Sequence, residues 1–222
     1  MALLVQEEPA AAAVLLGTFG CAFLGEFGAT YLGRIRCEPH DWRSRLRALR
    51  SSIREVSFMG GGGDPEADRG TKLVLMLGVI AALLSAFAIA RYAPGLRAGA
   101  NVWATLALGS AIALSGVALR TWAIWTLGRF FVREIGIQQG QTIVREGPYR
   151  KLRHPSYSGN LLMGFGFGLA FGSWVGAVVC AALTLVAMLP RIRAEEETLR
   201  AAFGDAYRGY SRETWRLIPG LW

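Results

Sequence analysis

The sequence predicts an all-α integral membrane protein of five transmembrane helices, the last two forming a helical hairpin. Three observations predict it. Of 222 residues, 53% are hydrophobic and only 18% charged, with a mean hydropathy of +0.34, whereas a soluble domain carries about 25% charge. Uncharged runs long enough to cross a hydrocarbon core of about 30 Å, which takes roughly 20 helical residues, recur along the chain. The basic residues, moreover, cluster after alternate runs. Such a composition excludes disorder. Three scattered cysteines, Cys21, Cys37 and Cys180, exclude a disulfide scaffold. Two histidines, His40 and His154, and no CxxC pair argue against a metal site. The net charge of +8 would suggest nucleic acid in a soluble chain; here its distribution follows the spans, and no nucleic-acid partner is expected.

The first span is Ala10–Gly33, AAAAVLLGTFGCAFLGEFGATYLG, with Glu26 inside it. The preceding MALLVQEEPA is acidic where a signal peptide is basic, so the span is expected to be retained. The second is Leu73–Ala90 and the third Val102–Leu127, with Arg120 near its end. The last uncharged stretch, Tyr157–Leu189, is too long for one span. Gly172-Ser173 near its middle reads as a tight turn, giving Tyr157–Phe171 and Trp174–Leu189. The segment after span one carries nine Lys and Arg, the segment after span three carries six and the segment after span five six, against two between spans two and three. Basic segments stay cytoplasmic. The N-terminus is therefore expected outside, the C-terminus in the cytoplasm, and the chain in the cell inner membrane. Glu26 and Arg120, charges within spans, are candidates to pair or to snorkel.

In the first cytoplasmic segment, 34–72, Trp42, Leu46, Leu49, Ile53 and Val56 form one apolar helical stripe among arginines. It would lie in the headgroup plane or pack on the other cytoplasmic parts. GGGGD (Gly60–Asp64) follows as a joint. In the second, Gly128–Ser156, Phe130–Ile137 and Thr142–Val144 would pair as short strands around Gln138–Gln141, before a turn at Gly147-Pro148. In the third, RIRAEEETLRAAF continues span five as a helix that Gly204 ends. Trp215, Leu217, Ile218, Leu221 and Trp222 would then sit at the interface or close over a site.

Two constellations carry chemistry. Arg153-His154-Pro155-Ser156-Tyr157 opens span four. Proline is tolerated at a helix start, and the first turn offers unpaired N–H groups and the positive dipole end to an anion such as a carboxylate. The same residues would equally make a plain helix cap with a solvated histidine. Arg191 and Glu195 share a helix face, with Glu196 beside it. They would bind a zwitterion, guanidinium to carboxylate and carboxylates to ammonium, or form a solvated pair of small value. The run Gly164-Phe-Gly-Phe-Gly168 imitates a nucleotide-binding turn but sits inside an apolar span, where Gly164 and Gly168 would serve close helix packing.

LRTWAIWTLGRFF (Leu119–Phe131), GPYRKLRHPSYSGNLL (Gly147–Leu162), RIRAEEETLRAAFGDAYRGY (Arg191–Tyr210) and RLIPGLW (Arg216–Trp222), in that order, resemble the isoprenylcysteine carboxyl methyltransferase family and the related membrane phospholipid methyltransferases. The resemblance covers nearly half the chain, and the first 100 residues share only the spans. It implies a two-span region over 1–100, a methyltransferase core over 101–222 and a cytoplasmic cofactor pocket formed by the loop and the C-terminal tail. It also implies S-adenosylmethionine as cofactor and a lipophilic or prenylated acceptor drawn from among membrane lipids, with the carboxylate of a prenylcysteine-like molecule receiving the methyl group. Carried over residue by residue, Gln141, Val144, Gly147, Tyr149, His154, Tyr157, Gly159 and Leu161 would line the cofactor pocket. Glu195 and Glu196 would face the methionine part, and Arg191 would hold the acceptor carboxylate. A phospholipid N-methyltransferase, an NADPH-dependent membrane reductase of the sterol type and a non-catalytic lipid-binding scaffold are the competing expectations.

Overall fold

The computed structural model describes residues 9–35, 49–50, 70–99, 101–132 and 135–222. Most of the 34–72 segment, with its apolar stripe and glycine joint, lies outside them, as does the Glu26 side chain and with it the proposed pairing to Arg120. Among the described residues there are five long helices: α1 (Pro9–Ile35), α2 (Thr71–Tyr92), α3 (Val102–Leu127), α4 (Pro155–Ala170) and α5 (Trp174–Glu213). Three of them are long and apolar enough to cross a membrane, over Leu73–Tyr92, Val102–Phe130 and Trp174–Glu213. The apolar run of α1 is shorter, Ala10–Ala22, and α4 has 16 residues.

The chain divides into two compact units. The first comprises Met1–Leu24, Leu73–Ala118 and Gly159–Met188. Its core is made of small residues and interlocked rings. Ala11, Leu15, Leu106 and Ala170 are buried together against Phe19 and Phe171. The Phe19 and Phe167 rings stack with centroids 4.0 Å apart. Leu84, Val178 and Val186 stand about 60% exposed, an outward apolar face suited to hydrocarbon rather than water.

Glycine sets how closely these helices approach. A Cβ at Gly166 would lie 2.4 Å from the Ala113 nitrogen, one at Gly109 would lie 2.4 Å from the Ala170 nitrogen, and one at Gly168 would lie 2.5 Å from the Ala177 Cα. Gly168 thus has the packing role its sequence suggests. Gly164 is looser, with Thr184 Oγ1 at 3.1 Å, and Gly166 takes the tighter contact. Because backbone, not a flexible side chain, blocks the space, Gly166→Ala is expected to cost about 1–3 kcal/mol by forcing α3 and α4 apart. Thermal unfolding in detergent checks this, with Gly95→Ala, which meets nothing within 4 Å, as the control.

Gly172 adopts φ +95, which glycine alone takes without strain, and turns α4 into α5 as the sequence predicts. Ser173 caps the new helix by accepting from the Gly176 N–H at 3.1 Å, and its hydroxyl donates to the Leu96 carbonyl at 2.8 Å.

The second unit comprises Gly25–Lys72, Leu119–Ser158 and Leu189–Trp222. One expectation is corrected here. No strand forms among the described residues; Phe130 belongs to a 3-10 turn, Gly128–Phe130. Gln141 closes its own turn instead, its N–H donating to the Gln138 carbonyl and its side-chain oxygen accepting from the Gln138 N–H at 2.8 Å. Gly140 takes φ +72 in this turn. Gly204 breaks the helix that continues span five, as the sequence predicts: it takes φ 51, ψ −123, and a further short helical stretch follows it to Glu213.

Candidate active site

The site is built wholly within the second unit. Pro155 opens α4 at a position where a missing N–H costs nothing, so His154 sits just before the helix and Tyr157 in its first turn. The polar part of α5 begins after Pro190, and its 3.6-residue period puts Arg191 and Glu195 on one face. These side chains meet. Arg191, 5% exposed, donates from Nε to the Tyr157 hydroxyl at 2.8 Å and lies 3.3 Å from Glu195 Oε1. The Tyr157 hydroxyl donates in turn to Glu195 Oε1. His154 Nδ1 stands 3.5 Å from Glu195 Oε2, and its Nε2 stands 3.4 Å from Glu196 Oε1. The rings of His154 and Tyr157 lie 5.6 Å apart and within 22° of parallel.

An imidazole with a carboxylate at each nitrogen satisfies both only as imidazolium. Burial pulls the His154 pKa down, but the hydrogen bonds and charges of Glu195 and Glu196 outweigh it and hold the pKa above the ordinary 6.5. A raised folded-state value stabilises the fold fully below the unfolded value, and the contribution is lost as pH rises through the higher folded one. The melting temperature is therefore expected to fall as pH climbs from about 6.5, and His154→Gln to flatten that decline. An equal decline in the variant would show that another group titrates.

Glu196 is the hub that the sequence did not disclose. It is 2% exposed, and Arg216 grips it with two parallel bonds, Nε to Oε1 and Nη2 to Oε2, both 2.9 Å. Arg200 Nη2 donates to Oε2 at 2.7 Å and Arg153 Nη1 to Oε1 at 3.3 Å. The spacing of Glu196 and Arg200, four residues on one helix, was a signal available in the sequence. Arg153 and Arg216 lie 43 and 20 residues away along the chain, and nothing in the sequence paired them with it.

The tail is seated against the loop by main-chain bonds. Trp215 N–H donates to the Lys151 carbonyl, and the carbonyls of Trp215 and Arg216 accept from the N–H groups of Arg153 and His154. Ser158 Oγ donates to the Leu217 carbonyl at 2.6 Å. Of the tail residues named from the sequence, Leu217 is buried, while Trp215, Ile218, Leu221 and Trp222 are exposed.

The remaining candidates take varied places. Gly147 at φ +53 has the Thr126 hydroxyl 2.9 Å and Trp122 Nε1 3.1 Å from where a Cβ would be, so only glycine lets the loop lie there. Tyr149 is buried, and its carbonyl accepts from the Tyr210 hydroxyl at 2.9 Å. Val144 is half-buried, and Gln141 is engaged in its own turn. Gly159 and Leu161 belong to the first unit, where a Cβ at Gly116 would lie 2.6 Å from the Gly159 carbonyl oxygen. Arg120 donates to the Ser156 hydroxyl, beside His154 in the chain. Two buried polar atoms of this unit, Arg153 Nε and the Tyr207 hydroxyl, have no hydrogen-bond partner among the described residues.

Residues 107–201 match the family model described as the isoprenylcysteine carboxyl methyltransferase (ICMT) family. Protein-S-isoprenylcysteine O-methyltransferase B of Arabidopsis thaliana is 30% identical over 145 residues, covering 64% of this chain and 72% of that protein. The protein-S-isoprenylcysteine O-methyltransferase of Schizosaccharomyces pombe is 29% identical over 121 residues, covering 54% of this chain and 50% of that one. A solved structure of the eukaryotic intramembrane Ras methyltransferase ICMT aligns with a TM-score of 0.56 at 20% identity, covering 80% of this chain and 65% of that one. Helices long and apolar enough to cross a membrane, together with these matches, mark a membrane methyltransferase. The chain belongs to the isoprenylcysteine carboxyl methyltransferase family.

Proposed function

We propose that the protein transfers a methyl group from S-adenosylmethionine to the carboxylate of a prenylcysteine-like lipophilic acceptor. The observation that carries this is the buried junction of Arg191, Tyr157, Glu195 and His154, which presents a guanidinium and a carboxylate 3.3 Å apart beside stacked rings. That donor set fits the cofactor: a carboxylate suits an ammonium or sulfonium, and the face of the Tyr157 ring attracts a cation. The unpartnered Arg153 Nε leaves a buried donor for a bound polar group. When bound, S-adenosylmethionine supplies an electrophilic methyl on a positive sulfur. Glu195, whose side chain is one quarter exposed, holds the cofactor's methionine end, while Glu196 anchors the cluster behind it. Gly147, Tyr149, His154 and Tyr157 form one wall, with Gln141 and Val144 beside them.

Arg191 orients the acceptor carboxylate. A carboxylate is already ionised at neutral pH, so no strong base is required, and alignment with exclusion of water suffices. A phospholipid amine would have to lose a proton first, which makes that acceptor the weaker reading. The chain crosses the cell inner membrane five times with its N-terminus outside, the α4–α5 hairpin supplying the last two crossings, and the site faces the cytoplasm.

The test is transfer of labelled methyl by detergent-solubilised protein to a panel of prenylcysteine analogues and host lipids. Prenylcysteine methyl ester formation supports the proposal. Folded protein that binds no S-adenosylmethionine, or that is protected from heat by NADPH alone, rejects it.

A further inference from the structure

We propose that Arg216, in the C-terminal tail, is a positioning residue for this site, fixing the His154 imidazole against Glu195 through Glu196 on one side and through its own carbonyl on the other. Arg216 reaches His154 twice. Its backbone oxygen accepts from the His154 N–H at 3.1 Å. Its side chain forks onto Glu196 with two bonds of 2.9 Å, and Glu196 Oε1 faces His154 Nε2 at 3.4 Å. A guanidinium fork fixes the plane of a carboxylate as well as its charge, which an ammonium cannot do. Arg200 holds only Oε2, with a single nitrogen, and Arg153 only Oε1, from 3.3 Å; Arg216 alone among these three holds both oxygens. The Arg216 guanidinium lies 5.2 Å from the centre of the Trp222 ring, so the end of the tail backs the fork. Arg216 lies three residues beyond the last helix, and its two-bond grip on a buried acid ties the tail to the orientation of the carboxylate that faces the loop.

The inference rests on the methyltransferase reading for its kinetic readout and not for its structural one. The groups facing His154 are Glu195 and Glu196 from α5, with Arg191 and Arg200 behind them, Tyr157 from α4, Arg153 from the loop, and Arg216 from the tail. Arg216→Gln removes a positive charge that partly neutralises Glu196, so the pH midpoint at which the melting temperature falls is expected to move upward. The KM for S-adenosylmethionine is expected to rise about tenfold, as loss of a charge-assisted contact implies, with a much smaller change in kcat. Arg216→Lys restores the pH midpoint but not the KM, because charge returns without the fork. If Arg216→Gln does not fold, E196Q/R216Q, which removes both charges together, is compared with E196Q, and equal KM values are expected. A wild-type pH midpoint and KM in Arg216→Gln, full recovery of KM by lysine, or a further loss in the double variant beyond E196Q overturns the proposal. Wild-type protein that binds no S-adenosylmethionine overturns the methyltransferase reading instead, and the pH midpoints then decide the role of Arg216 on their own.

Discussion

Arg191→Gln is expected to lower kcat/KM for methyl transfer by about 10²–10³-fold, the range seen when one preorganised charge-stabilising donor is removed from a buried site. The guanidinium is 5% exposed, so its interactions act where water screens little. Its Nε fixes the Tyr157 hydroxyl at 2.8 Å and stands 3.3 Å from Glu195, so on the proposed mechanism the substitution both removes the group that orients the acceptor and loosens the carboxylate that faces the cofactor. The first effect raises the KM for the acceptor, and the second lowers kcat. Arg191→Lys should recover only part of the loss, because a lysine offers a point charge without a planar fork. Steady-state kinetics on detergent-purified variants with matched melting temperatures make the measurement. A folded Arg191→Gln enzyme with wild-type kcat/KM would remove Arg191 from the mechanism.

Glu196→Ala is expected to be the most destabilising single change in the second unit, costing about 3–5 kcal/mol, as removal of one partner from a buried ion cluster does. Its carboxylate is the common acceptor of Arg153, Arg200 and Arg216 and faces His154. Without it, those cations repel one another around a cavity. Glu196→Gln keeps the shape and two hydrogen-bonding ends while losing the charge, and should fall between alanine and wild type. Arg145→Ala is a useful contrast. Its pair with Glu213 is well exposed on both sides, and such a pair is worth no more than about 1 kcal/mol. Equilibrium denaturation of the three variants orders them, and an alanine variant at 196 no weaker than Arg145→Ala would show that the cluster is not a stabilising hub.

What could be read in the sequence was whatever a short-range rule encodes. The apolar runs gave the helices because backbone groups in hydrocarbon must pair within a segment. The Gly172-Ser173 turn was legible because one residue must take positive φ and the next must cap. The facing of Arg191 and Glu195 followed from helical period. The buried network around Glu196 was not legible, since its fork comes from a tail residue 20 positions on and its loop partner from 43 positions back. The loop before α4 failed for a different reason. Phe130–Ile137 and Thr142–Val144 were expected to pair around Gln138–Gln141, but Gln141 found a nearer partner in its own turn, and such local side-chain bonds compete with ladder formation. The break at Gly204 was legible too, because a residue at positive φ ends the helical run wherever it falls, and glycine takes that conformation without strain.

The tight connection at Gly172 bears on how the chain enters a bilayer. Sixteen residues of α4 extend about 24 Å at 1.5 Å per residue, short of the roughly 30 Å hydrocarbon slab. Its glycines at 164, 166 and 168 leave it little apolar surface to offer lipid. On the five-crossing reading, α4 is a poor insertion signal by itself, and the insertion machinery would have to release it together with α5 as one looped pair. Lengthening the connection there would therefore be felt first during biogenesis, as chains that fail to integrate, before any effect on the finished enzyme could be measured.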